Sequence, residues 1–167
     1  MTSEEIEKYL TELNDELCKA DVKGEVCLYG GAVMCLAFKA RPATKDVDAI
    51  FEPVREIRRA AMMVGERHGL NVDWLNFAVK MFVVEHEKNI LFDLPCLKVF
   101  IPPSDYLLAM KVLASRADTS DLDDVRFLVN SLNLTNVDDV LKIVRSYYPE
   151  KEVKPAAIFA LEEIFSR

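Results

Sequence analysis

The hydrophobic periodicity of the chain changes at Pro102-Pro103, and that change constrains the fold more than any other feature. Upstream, strand-like patterns interleave with helical ones. Val26 to Tyr29, Phe77 to Val84 and Ile90 to Ile101 read as β-rich, and KDVDAIF alternates with period two, Val47 and Ala49 on one face and Asp46 and Asp48 on the other. Ile6, Leu10, Leu13 and Leu17 recur at helical spacing behind a Thr2/Glu5 capping box, which predicts a helix over 3–19. Ala32 to Phe38 reads as a short helix, Val54 to His68 as a longer one stopped by Gly69, and Leu70 to Leu75 as a short strand. Downstream the pattern is helical over 104–117, 121–131, 136–147 and 155–165, with Pro155 in the favoured first turn and Ser120 and Thr135 as expected caps. The expected fold is α+β: a mixed, twisted sheet flanked by helices over about 1–102, then a C-terminal helical lobe over about 103–167. No linker rich in Gly, Ser or Pro separates them, so the expectation is two lobes of a single domain, 1–167.

With 28 acidic and 21 basic residues the net charge is -7, which argues against the extended basic face that grips nucleic acid without sequence preference. A small local basic patch is compatible with it. The polar start, MTSEEIEKYL, and the absence of an 18-residue apolar run lead to an expectation of no secretory signal, no membrane partner and a cytoplasmic protein. Cys18, Cys27, Cys35 and Cys96 are widely spaced in apolar surroundings with no CxxC, and read as reduced, buried thiols. His68 and His86 are the two histidines, the first read as a helix-end or surface residue and the second as solvated; a histidine base or zinc cluster therefore starts weak.

Asp46 and Asp48 carry the main chemical signal. At i and i+2 on a strand, two carboxylates lie side by side and repel unless a cation or a proton sits between them. A hard divalent ion such as Mg²⁺ takes such oxygen donors and completes its shell with water and substrate phosphates. The other reading is a plain solvated strand face. Upstream, Gly30-Gly31 forms a strand-to-helix turn whose missing side chains let backbone N–H groups approach a phosphate at a helix start; alone, it is also an ordinary tight turn. The connection to the Asp pair contains Arg41 and Thr44. Strand, Gly-Gly turn, short helix, connection and DxD strand together are more specific than any one part.

The segment LYGGAVMCLAFKARPATKDVDAIF resembles the opening signature of the nucleotidyltransferase superfamily that includes DNA polymerase beta. Within it the chain is most similar to small bacterial proteins related to the toxin component of abortive-infection toxin–antitoxin systems, and to a group of comparable length with no assigned role. The resemblance implies Gly30 and Gly31 as the phosphate-side turn, with Thr44 on the nucleotide, and Asp46 and Asp48 as ligands of Mg²⁺ or Mn²⁺. It also implies a third carboxylate on a neighbouring strand, for which Asp73 is the candidate. SDYLLAMKVLASRADTSDLDDVRFLV is similar to a later motif and implies Lys111, Arg116, Asp121 and Asp124 as cleft residues that contact the nucleotide. Read physically, Lys111 either snorkels or faces that cleft; Arg116 among Asp118, Asp121, Asp123 and Asp124 is either a phosphate contact or an ion pair orienting two helices. Trp74 reads as a core or cleft-wall aromatic, with base stacking the lesser option.

The function so implied is metal-dependent transfer of a nucleoside monophosphate from a triphosphate to a hydroxyl acceptor: an RNA end, a protein side chain or a small molecule. The competing readings are an inactive nucleotide-binding protein and a protein-interaction module of a toxin–antitoxin-like pair, whose acidic surface meets a basic antitoxin partner.

Overall fold

The computed structural model describes residues 1–115 and 119–166. In chain order its elements are α1 (Ser3–Lys19), β1 (Gly24–Tyr29), α2 (Gly30–Leu36), β2 (Val47–Glu52), α3 (Val54–His68), β3 (Leu75–Asn76), a 3-10 turn (Ala78–Met81), β4 (Asn89–Asp93), β5 (Leu97–Ile101), α4 (Ser104–Ala114), α5 (Thr119–Ser131), α6 (Val137–Tyr147) and α7 (Pro155–Phe165). The fold is α+β with a five-stranded mixed sheet. The chain divides into two compact units, residues 1–83 with 88–102, and residues 84–87 with 103–167. Among the described residues no helix is long and apolar enough to cross a membrane.

In the first unit the strand order β3-β2-β1-β5-β4 puts β1 at the centre. Its run Val26 to Tyr29 is buried throughout, the composition a strand needs when both faces are covered. β1 pairs antiparallel with β2 and parallel with β5, while β2 pairs parallel with β3. β4 closes one edge antiparallel to β5, with a register shift between Ile90 and Phe92 of the kind that blunts an exposed edge. Along β2, Val47, Ala49 and Phe51 are buried and the intervening side chains are not, as the alternation requires.

α1 opens with the expected box: the Thr2 hydroxyl accepts from Glu5 N at 3.2 Å and Glu5 Oε2 accepts from Thr2 N at 2.8 Å. Its stripe of Ile6, Leu10, Leu13 and Leu17 is buried, each side chain contributing roughly 1.5–3 kcal/mol. α3 buries Ile57, Ala61 and Val64 and stops where Gly69 takes a left-handed φ of 66°.

In the second unit α4 buries Tyr106, Leu107 and Leu108. The Tyr106 hydroxyl accepts from Val84 N at 3.1 Å and lies 2.8 Å from the Tyr148 hydroxyl, while the Tyr147 hydroxyl donates to Asp105 Oδ1 at 2.9 Å. His86 stacks on Tyr106 with ring centroids 4.2 Å apart, so it is half-buried rather than solvated. These contacts fasten residues 84–87 to the helices.

Several local expectations are corrected. Asp46 stands just before β2 rather than within it, and of the expected 70–75 strand only Leu75 pairs, in the two-residue β3. The apolar stretch after Phe77 turns as a 3-10 helix because Phe77 docks on Phe51, centroids 4.7 Å apart, with Arg58 and Lys80 over its ring. Ser120 lies inside α5, and Asn136 rather than Thr135 caps α6, its side chain accepting from Asp139 N at 2.9 Å. Cys18 and Cys96 are not reduced thiols but a disulfide spanning 78 residues of sequence, a pairing that only the packing of α1 beside the start of β5 brings about. Cys27 and Cys35 are free and buried, as expected.

Candidate functional site

β1 delivers the chain to Gly30, whose φ of 60° is left-handed and favours glycine. α2 begins at this residue, earlier than its apolar pattern suggests. A Cβ at Gly30 would stand 3.1 Å from Asp48 Oδ2, and one at Gly31 would stand 2.8 Å from Thr44 Oγ1 and 3.1 Å from Arg41 Nη1. A carboxylate, a hydroxyl and a guanidinium therefore meet on two residues that carry no side chain. Sheet register accounts for the first, since Asp48 is the partner of Tyr29, the last residue of β1. The 39–46 connection accounts for the other two: Thr44 Oγ1 also donates to Asp46 O at 3.2 Å, bending the chain into β2.

That connection is held by α1. Thr44 N donates to Met1 O at 2.9 Å, Thr2 and Ala43 form an antiparallel bridge, and Lys39 Nζ bonds Ser3 Oγ.

Asp46 is half-buried in the bend before β2, one strand position from Val47. Asp73 lies in an exposed turn ahead of β3. The β2–β3 register pairs Val47 with Leu75 and Asp48 with Asn76, so the residue paired with Asp48 carries an amide and lies three positions beyond Asp73. Its neighbour Trp74 is a core residue: 2 % exposed, Nε1 donating to Ala61 O at 2.9 Å, and the ring against Gly65.

The remaining candidates belong to the second unit. Lys111 Nζ, 11 % exposed, lies 3.0 Å from Asp121 Oδ1 on α5 and 2.7 Å from Asp124 Oδ2, so it neither snorkels nor stands alone. The approach to Asp124 is an ion contact rather than an aligned hydrogen bond. Arg116 lies outside the described residues.

Comparison with protein-family models, with curated proteins and with solved structures found no match.

The donor chemistry of Asp46 and Asp48 fits an open Mg²⁺ or Mn²⁺ site, in which hard oxygen ligands from the protein leave positions for water and phosphate. Among the described residues no three His, Cys, Asp or Glu side chains form a group able to hold a metal alone. Sequence reasoning passed over two residues. Arg41 was visible only as a cation between the glycine pair and the Asp pair, and Asn76 had no signal short of the strand register.

Proposed function

We propose that the chain is a nucleotidyltransferase that moves a nucleoside monophosphate from a triphosphate to a hydroxyl acceptor. The observation that carries this reading is the convergence of Asp48, Thr44 and Arg41 on the bare Gly30-Gly31 turn. In it, the turn gives phosphate oxygens access to the backbone, Arg41 offsets their charge, and the Thr44 hydroxyl supplies a neutral contact. Asp46 and Asp48 would hold Mg²⁺ or Mn²⁺, which neutralises the triphosphate and lowers the pKa of the attacking hydroxyl. Alignment and electrostatic stabilisation carry such a transfer, so no histidine base is required. Asp73 has a part only if its turn brings it to the pair. Lys111, Asp121 and Asp124 serve in this reading as an interhelix clamp.

The test is labelled triphosphates of all four bases with Mg²⁺ and, separately, RNA, protein and small-molecule hydroxyl acceptors. Label transfer with pyrophosphate release, abolished in Asp48→Asn, is expected. Absence of transfer to every acceptor by folded protein, or transfer that survives in Asp48→Asn, would sink the reading. A second reading, nucleotide binding without transfer, is favoured by Asn76 in the place opposite Asp48. It predicts triphosphate binding in a titration that shows no turnover, and restored transfer is then sought in Asn76→Asp.

A further inference from the structure

The Cys18–Cys96 disulfide lies at the end of the first unit remote from Gly30. Gly24 N, at the start of β1, donates to Cys96 O at 2.9 Å, whereas Gly30 follows the far end of that strand. α1 joins the two ends. Its seventeen residues span about 25 Å; Met1 and Thr2, just ahead of its first turn, are tied to Thr44 and Ala43, and its last turn carries Cys18.

Cys18 is exposed on α1, unlike the buried Cys27 and Cys35, and Cys96 is half-buried. Lys23, Glu25, Asp93, Pro95, Cys96 and Lys98 line an open depression of the surface on the Cys96 side of the bond. Asn14, one helical turn before Cys18, is buried and its Oδ1 accepts from Cys96 N at 2.8 Å. This second tie holds the two sulfurs near each other when the covalent one is cut.

We propose that Cys18–Cys96 is a reversible thiol-exchange site, opened by a dithiol reductant, and that its opening loosens the 41–46 connection at the other end of α1. A thiolate of the dithiol attacks Cys18 Sγ, the S–S bond breaks and Cys96 leaves as thiolate; the second thiol then displaces Cys18. The protein gains two electrons and two protons as two thiols, and the reductant departs as a cyclic disulfide. The proposal stands whether or not the chain transfers nucleotides.

The experiment takes oxidised full-length protein through a dithiothreitol series, with maleimide labelling and peptide mass spectrometry, and amide hydrogen exchange of both forms. Expected are labelling of Cys18 and Cys96 under native conditions with Cys27 and Cys35 protected, and exchange at Thr44 on the order of tenfold faster after reduction. Reoxidation by glutathione disulfide should reverse it, more slowly in Asn14→Ala. Cys18→Ser/Cys96→Ser should match the reduced form and ignore the dithiol; if it does not fold, the two forms of the wild type decide. Reduction only in denaturant, failure of the thiols to reoxidise, equal Thr44 exchange in both forms, or an equal rise in β1 would each overturn the proposal.

Discussion

Lys111 Nζ lies 2.7 Å from Asp124 Oδ2, a carboxylate side chain only 2 % exposed, and with the 3.0 Å approach to Asp121 it ties α4 to α5. Removing the cation takes away the charge nearest a buried acid and leaves Asp121 beside it. Lys111→Met should therefore destabilise the chain by about 3–5 kcal/mol despite its better apolar match. A denaturant melt followed by circular dichroism measures it; a loss below about 1 kcal/mol would place the pair among surface ion pairs instead.

Gly31→Ala tests the crowding at the turn. The new Cβ would sit 2.8 Å from Thr44 Oγ1, so the 39–46 connection must shift, at a cost of about 1–3 kcal/mol. Thr44→Ala in the same chain removes that contact and should recover part of the loss. Triphosphate affinity, read by titration, is expected to fall in the single variant and stay low in the double.

Acid sensitivity should trace to the α1–α3 clamp. Arg67 bonds Glu16 at 2.7 Å and Glu12 at 2.8 Å, and His68 Nε2 lies 2.7 Å from Glu12. Hydrogen bonds from Arg67 and Lys19 hold the Glu16 carboxyl below its ordinary range. At Glu12 burial pushes upward, yet the bonds from His68 and Arg67 outweigh it. A depressed carboxyl stabilises the fold above its unfolded pKa, and that contribution disappears as pH falls through the folded one. Stability of Glu16→Gln should thus lie below wild type at neutral pH and converge with it under acid. Because Arg67 is 44 % exposed, solvent screens the pair and the gap should be small; parallel pH–melting curves that never converge would contradict this origin.

The tyrosine cluster makes the alkaline counterpart. Burial and the bond to Asp105 push the Tyr147 phenol up to about 12. Burial and the bond to Tyr106 push Tyr148 higher still. A raised folded pKa means stability that is full below the unfolded value near 10 and lost as pH climbs through the folded value. Ultraviolet titration should show both phenols ionising well above the range of a free tyrosine. In Tyr148→Phe the Tyr106 hydroxyl loses the Tyr148 hydroxyl and keeps Val84 N, and a loss of about 1 kcal/mol is expected at neutral pH.

How far the sequence foretold all this depended on the range of the interaction. α1 and α3 were legible because their caps and stripes are local: Thr2 with Glu5, and Gly69 at the end. Gly30-Gly31 and Asp48 were legible as a pattern, and β1–β2 pairing brings them together. The strand expected around Asp73 was not legible, because a two-residue strand gives too little periodicity to set its bounds or register. The ion cluster at Lys111 was half visible, since the acids were there but the helix-to-helix geometry was not. The disulfide was invisible, as spacing alone does not say which cysteines meet across 78 residues.

The parallel pairing of β1 with β5 sets an order in time. Gly24 is matched to Leu97, so the central strand of the sheet has one neighbour, β2, within reach early in synthesis and must wait for the other until α3, β3, β4 and β5 have left the ribosome. Until then one edge of the most buried strand among the described residues stands open. The helices after Pro103 close their contacts over short spans and make no such demand. The nascent chain is therefore most exposed to misassociation before β5 emerges, and truncations that end between β2 and β5 should be the ones that aggregate.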